Sequence, residues 1–140
     1  MARITVKHRY GESFDIQIRG YRLVSDEPVA IGGEDEGPTP TELMVAGLAA
    51  CAAEEGVKHL SNEGLPFEPF AVEADFSWDI ENGRIDHVQL TISTPPGLTD
   101  SDHRFLEAAM VACPARKMLT EPPTLKYAFS EPAAVTAEGR

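Results

Sequence analysis

Apolar and polar residues alternate with a period of about two in the first part of the chain. Residues 4–9 alternate in this way, and residues 14–19 do so again after the turn signal Gly11-Glu12-Ser13. Alternation of this kind is typical of strands with one buried face, so these two segments predict a β-hairpin. Residues 21–24 predict a third strand, and the stretch 26–40, rich in glycine, proline and acidic residues, predicts a loop.

Residues 43–53 have a different pattern, because small or apolar residues occupy nearly every side of the predicted helix. A helix that is apolar all round is usually buried, so this segment predicts a long, buried central helix. The helix begins with a capping box, in which Thr39 is the N-cap and Glu42 reaches back to the Thr39 amide. It is predicted to end between residues 60 and 62, with Gly64 as the stop. A monomer would expose much of this apolar surface, which predicts a homodimer.

A second hairpin and a second helix follow the central helix. Residues 71–80 and 86–93 alternate around Asn82-Gly83, a dipeptide that strongly favours a hairpin turn. The prolines and glycine of residues 95–97 end this hairpin. Residues 99–102 offer N-cap candidates for the second helix.

The C-terminal part of the chain contains a proline within a helical pattern. Pro114 either interrupts the second helix or restarts it as a first-turn proline. A final short strand is predicted around residues 125–129. The order of strands, helix, hairpin, helix and strand predicts an α+β fold with a single domain, residues 1–140.

The composition excludes several classes of function. A chain of 140 residues with 42% hydrophobic residues can form one core of ordinary size. Its formal charge of −11 repels phosphate backbones and anionic lipids, so we expect neither nucleic acid nor a membrane as partner. No window approaches the ~20 apolar residues of a membrane helix. No signal peptide is recognisable at the start, which predicts a cytoplasmic protein.

The two cysteines, Cys51 and Cys113, are the residues most suited to chemistry. They are too few for a disulfide scaffold or, without histidines at ligand spacing, for a zinc site, so we expect no metal. Cys51 lies among alanines, where a cysteine is most often a small buried hydrophobe. Cys113 precedes Pro114, Arg116 and Lys117, and positive charge or a helix start favours the reactive thiolate. The residues alone leave two alternatives, inert core thiols or a redox pair.

Two motifs resemble the signature of OsmC-like proteins. In the first, GPTPTELMVAGLAAC at residues 37–51, a Pro-x-Glu-Leu segment opens the central helix and a cysteine follows the glutamate by nine residues. Gly32-Gly33-Glu34-Asp35, just before it, is also typical of the family. The second motif, CPARKML, begins at Cys113. The resemblance implies an OsmC-like α+β fold in which two chains interlock as a cytosolic homodimer.

The resemblance also implies a cysteine-based peroxidase without a bound cofactor. In active members the first cysteine, here Cys51, attacks an organic or inorganic hydroperoxide and becomes a sulfenic acid. The second cysteine, here Cys113, condenses with it to a disulfide. An external dithiol then reduces this disulfide.

Active members use an arginine from the N-terminal hairpin, held by a glutamate, to stabilise the thiolate. Arg9, at the turn of the first hairpin, is the best positional candidate for this arginine, and Arg19 and Arg22 remain open. Glu42 is the candidate glutamate, although capping already explains its position. Thr41 stands where the hydroperoxide-resistance branch of the family has its glutamate, ten residues before the first cysteine.

Two acidic residues after Cys51 favour a second reading. Glu54 and Glu55 follow it by three and four residues and can share its face of the helix. Carboxylates at such short range disfavour a thiolate unless cations such as Arg9 or Arg22 neutralise them. The alternative is therefore an OsmC-fold protein that binds a ligand or a partner and has little or no peroxidase turnover.

Overall fold

The computed structural model describes residues 3–131, and its N-terminal part is a three-stranded antiparallel sheet. The strands are β1 (Ile4–Tyr10), β2 (Ser13–Ile18) and β3 (Tyr21–Ser25), in the order β1-β2-β3. Gly11 turns the chain between β1 and β2 with a φ of 50°, which glycine adopts without a Cβ clash. The predicted hairpin and the third strand are confirmed.

The register of this sheet separates an apolar face from a polar face, since directly paired residues lie on the same side. The apolar face consists of Ile4, Val6, Ile16, Ile18, Tyr21 and Leu23. Among the elements described in residues 3–131, the sheet packs extensively against none of the helices. The apolar face is therefore largely uncovered, and Ile4 and Tyr21 are 60% and 64% exposed.

The central helix α1 (Pro40–Asn62) begins and ends where the sequence predicts. The capping box is present: the amide of Glu42 donates to Thr39 Oγ1, and the amide of Thr39 donates to Glu42 Oε2 at 2.7 Å. After the helix, Gly64 takes a φ of 67°. These local signals suffice because capping and termination depend on neighbouring residues alone.

Within the described residues, α1 is buried along one face. Val45, Ala52, Gly56 and Leu60 are buried, whereas Met44 on another side is 65% exposed. The buried face packs against α2 and the second hairpin. The sequence predicts burial of the whole helix, but within a single chain only one face of α1 is buried. The remaining apolar surface of the helix is exposed to solvent.

The second half of the chain supplies the elements that cover this face of α1. β4 (Ala71–Asp79) and β5 (Arg84–Ser93) form the predicted second hairpin, and α2 (Asp100–Val111) is the predicted second helix. A third helix, α3 (Pro114–Thr120), follows it, so Pro114 restarts a helix rather than interrupting one. The buried core consists of Ala52, Leu60, Leu106, Met110 and Cys113. This arrangement confirms the α+β fold class.

The final strand predicted around residues 125–129 is wrong for the single chain. Residues 122–131 have no regular structure, and Leu125, Tyr127 and Phe129 are 74%, 84% and 98% exposed. A strand needs the edge of another strand as its hydrogen-bonding partner. In residues 3–131 no strand edge pairs with this segment, so its alternating residues do not form a strand.

Candidate active site

Both cysteines lie at the core between α1 and the segment from α2 to α3. Cys113 is a free thiol that is 1% exposed, and it belongs to the buried core. Cys51 is also free, is half-buried, and packs against that core from α1. The structure therefore brings both predicted cysteines to one region, with Cys51 the more accessible of the two.

Cys113 occupies the N-cap position of α3. Its Sγ accepts a hydrogen bond from the amide of Arg116 at 3.4 Å, and Pro114 is the first helical residue. The local sequence Cys-Pro-Ala-Arg therefore fixes the orientation of the sulfur.

A cavity of about 750 Å³ borders Cys113. Apolar side chains from α1, β5 and α2 line most of it, including Leu48, Leu90 and Met110, whereas His103 and Arg116 add polar groups. An apolar cavity with a few polar groups is the usual form of a site for a small organic molecule.

Arg9 lies at the end of β1 within a network centred on Glu36. Arg9 Nη1 is 2.6 Å from Glu36 Oε2 and donates to Ser13 Oγ at 2.9 Å, while its Nε lies 3.8 Å from Asp15 Oδ1. The hydroxyl of Tyr10 donates to the same Glu36 oxygen at 2.5 Å. The hydrogen bond from Tyr10, followed by that from Arg9, holds the pKa of Glu36 below its usual value.

The carboxylate that holds Arg9 was therefore missed by sequence reasoning. Glu36 follows Glu34 and Asp35 in a loop without periodicity, and no local signal distinguishes the three. The predicted candidate, Glu42, instead uses its carboxylate in the capping box of α1.

The alternative arginines are engaged elsewhere. Arg22 makes a two-pronged ion pair with Asp15, with distances of 2.8 to 3.1 Å, on the polar face of the sheet. The guanidinium of Arg19 lies 5.2 Å from the centre of the Tyr21 ring. Arg9 is thus the one among the three candidates that is paired with a glutamate in the described residues.

The acidic residues next to Cys51 have a cationic partner on their own helix. Lys58 Nζ lies 2.8 Å from Glu54 Oε1 and 3.3 Å from Glu55 Oε1. The hydrogen bonds with Glu54 and then Glu55 raise the pKa of Lys58. The expected cationic partner is therefore present, but it is a lysine one turn further along α1 rather than Arg9 or Arg22. This pairing reduces the repulsion that the two carboxylates would exert on a thiolate.

Two further properties of the described residues concern metal binding and membrane spanning. Within residues 3–131, no group of three histidine, cysteine, aspartate or glutamate side chains could hold a metal ion. In the same part of the chain, no helix combines the length and the apolar character needed to cross a membrane.

Several solved structures share the fold of this chain. A protein of Psychrobacter arcticus 273-4, described as an osmotic stress induced and detoxification response protein, matches with a TM-score of 0.76 at 18% identity, over 81% of this chain and 85% of that one. The OsmC-like protein of Mycoplasma pneumoniae matches with a TM-score of 0.75 at 16% identity, over 87% and 89%. The organic hydroperoxide resistance protein OhrB of Bacillus subtilis matches with a TM-score of 0.62 at 20% identity, over 87% and 92%.

The sequence itself matches a family model. No curated protein matched the chain in a sequence search. The model described as "OsmC-like protein" matches residues 33–128, which is more than half of the chain and includes both cysteines. The chain therefore belongs to the OsmC-like protein family.

Proposed function

We propose that this protein is a thiol-dependent hydroperoxide reductase in which Cys51 is the peroxidatic and Cys113 the resolving cysteine. The observation that carries the proposal is the packing of the half-buried Cys51 against the core that contains the buried Cys113. Membership of the OsmC-like family supports it. So does the fold shared with a protein named for resistance to organic hydroperoxides.

The reaction uses each cysteine once. The thiolate of Cys51 attacks the terminal oxygen of the hydroperoxide and breaks the O–O bond; the alkoxide takes up a proton and leaves as an alcohol, while Cys51 becomes a sulfenic acid. The thiol of Cys113 then attacks this sulfur, which forms the disulfide and releases water. An external dithiol reduces the disulfide and restores both thiols.

Arg9 would act as the cation that stabilises the attacking thiolate, with Glu36 holding the guanidinium in place. A fixed positive charge beside a thiolate increases the fraction of the reactive form and stabilises the charge that moves to the leaving oxygen. The hydrogen bonds that Arg9 Nη1 donates to Glu36 and Ser13 restrict the guanidinium before substrate arrives. With Nε near Asp15, Nη2 is the guanidinium nitrogen that takes part in none of these contacts.

The site would be completed in a homodimer. Glu36, which holds Arg9, lies three residues before the N-cap Thr39, and Cys51 lies twelve residues after Thr39. At about 1.5 Å per residue, the helix alone separates Cys51 from its start by roughly 18 Å. The N-terminal sheet also leaves its apolar face uncovered in the single chain. Seating this face on a second protomer would bury it and bring Arg9 to the partner's cysteines.

A thiol titration tests the proposed function. The reduced protein is treated with one equivalent of cumene hydroperoxide per chain, and the remaining thiols and the cumyl alcohol formed are counted. We expect the loss of two thiols per chain and the formation of one alcohol. Treatment with cumyl alcohol is the control and should leave both thiols. Retention of both thiols under hydroperoxide would refute the peroxidase.

The alternative function is the binding of a small ligand or partner with little or no turnover. The cavity of about 750 Å³ beside Cys113 favours it, because such a cavity could hold an apolar molecule whether or not the thiols react. The carboxylates of Glu54 and Glu55 near Cys51 also favour it, although Lys58 offsets them. Retained thiols in the titration would select this alternative.

A further inference from the structure

Asp26 is a buried carboxylate whose hydrogen bonds organise the loop that carries Glu36. The residue is 1% exposed. Its Oδ1 accepts from the amide of Glu27 at 2.8 Å, and its Oδ2 accepts from the amides of Glu34 and Glu36 at 3.1 and 3.2 Å. Burial alone would raise the pKa of Asp26, but the three backbone amides outweigh this effect and hold the pKa below its usual value. The carboxylate is therefore charged at neutral pH.

The loop around Asp26 has little freedom to adopt another path. The amide of Asp26 donates to the carbonyl of Pro38 at 3.3 Å, which closes the loop at its base. A Cβ on Gly33 would lie 1.8 Å from the carbonyl oxygen of Glu27, a distance that only glycine permits. The contacts of Asp26 therefore select one backbone course through residues 27–38.

This course determines where the Glu36 side chain stands. The amide of Glu36 is fixed by Asp26, and its carboxylate accepts from Arg9 and Tyr10. We propose that Asp26 is a positioning residue: its buried carboxylate fixes the loop and thereby the Glu36–Arg9 pair. The proposal rests on the proposed function, in which Arg9 stabilises the thiolate of Cys51. Asp26 itself acts through Glu36 and touches no reacting atom.

A merely structural role for Asp26 predicts something different. Loss of a loop-holding carboxylate would then lower stability without a specific effect on the oxidation of Cys51. A positioning role predicts that the loss acts through Arg9 and disappears when Arg9 is absent, because residues that act as a unit are not additive.

The first experiment measures the single-turnover rate of hydroperoxide reduction by the full chain. Asp26→Ala removes all three acceptor contacts, and Asp26→Asn keeps one carbonyl oxygen. We expect rates reduced about 10- to 100-fold for Asp26→Ala, with a smaller loss for Asp26→Asn, since misplacement by about 1 Å can cost this much. Asp79→Asn is the matched control, because Asp79 also accepts a backbone amide, that of Asn82 in the turn between β4 and β5. Its rate should equal that of the parent.

The same rates are then measured with Arg9→Ala in the background. We expect Asp26→Ala to cause no further loss there. An equal loss with and without Arg9 would overturn the positioning role, as would parental rates in both Asp26 variants. If Asp26→Ala does not fold, Asp26→Asn carries the comparison.

The second experiment follows the Glu36 carboxyl by carbon NMR during a pH titration and does not depend on activity. The negative charge of Asp26 itself raises the pKa of Glu36. Removal of that charge without movement of the loop would therefore lower the pKa of Glu36 further. Loss of position would raise it toward the usual value, because the contacts with Tyr10 and Arg9 are lost. We expect the rise.

The two experiments separate the two proposals. A parent that reduces no hydroperoxide refutes the proposed function. In that case the Glu36 titration still decides whether Asp26 positions the Glu36–Arg9 pair. An unchanged or lowered pKa of Glu36 in both Asp26 variants overturns that positioning.

Discussion

At the scale of single residues, the site depends on a few charges placed by backbone contacts rather than by sequence motifs. Arg9, Tyr10 and Ser13 converge on one carboxylate, Glu36, although the two segments are far apart in the chain. The candidate cysteines stand in motifs that also fix a local structure, the start of α1 and the start of α3. Glu36 could not be identified in this way, because its partners Arg9 and Tyr10 lie 27 and 26 residues away in the chain.

Glu36 provides a prediction about pH. Its pKa is lowered in the folded protein by the hydrogen bonds of Tyr10 and Arg9. A lowered pKa means that the contact stabilises the fold above the usual glutamate pKa of ~4.3, and that this stability is lost as the pH falls through the lower, folded value. We therefore expect Glu36→Gln to lower the urea midpoint at pH 7, with the difference from the parent shrinking in acid. Glu42→Gln, which can keep the capping bond, is the control. A difference that grows in acid would contradict this account.

At the scale of elements, the sequence predicts correctly where helices begin and end, because neighbouring residues determine these positions. The start of α1 follows from Thr39 and Glu42, and its end from Gly64. For Pro114 the local signal left two alternatives, and the structure has the start of α3 there. The segment around Leu125 failed as a prediction, because alternation shows that a strand is possible but not which edge it pairs with. Such pairing is a tertiary property, and the described residues supply no edge for it.

The capping box of α1 gives a prediction at this scale. Thr39→Ala removes the side chain that accepts the Glu42 amide. We expect the free energy of unfolding to fall by about 1 kcal/mol, as for other N-cap threonines. Thr41→Ala, inside the first turn, serves as the comparison and should cause no such loss, since alanine favours helix. Urea denaturation of the two variants measures the difference. Equal stabilities would show that the cap contributes nothing.

At the scale of the whole molecule, the single chain leaves two apolar surfaces open. One is the face of the N-terminal sheet that includes Ile4 and Tyr21, and the other is the side of α1 that includes Met44. Exposed patches of this kind usually mark an interface. The proposed homodimer would cover both surfaces and would bring Arg9 to the cysteines of the partner.

Subunit complementation tests whether the partner supplies Arg9. An Arg9→Ala chain and a Cys51→Ser chain, carrying different affinity tags, are co-expressed, and the mixed dimer is purified. Each variant alone should be slow or inactive. If Arg9 acts on the partner's cysteine, the mixed dimer contains one complete site and should reach roughly half the parental activity, since a symmetric dimer has two. A mixed dimer no faster than the Arg9→Ala homodimer would place Arg9 and Cys51 of one site in the same chain.

The most direct test of the central claim identifies the sulfur that attacks the hydroperoxide. Cys51→Ser and Cys113→Ser are each treated with one equivalent of cumene hydroperoxide in the presence of dimedone, which traps sulfenic acid, and are analysed by peptide mass spectrometry. The account predicts a dimedone adduct on Cys51 in the Cys113→Ser variant, and neither adduct nor peroxide consumption in the Cys51→Ser variant. An adduct on Cys113 in the Cys51→Ser variant, with Cys51 unmodified in the Cys113→Ser variant, would reverse the two roles. The peroxidase would be refuted if neither variant formed an adduct and the parent was not oxidised.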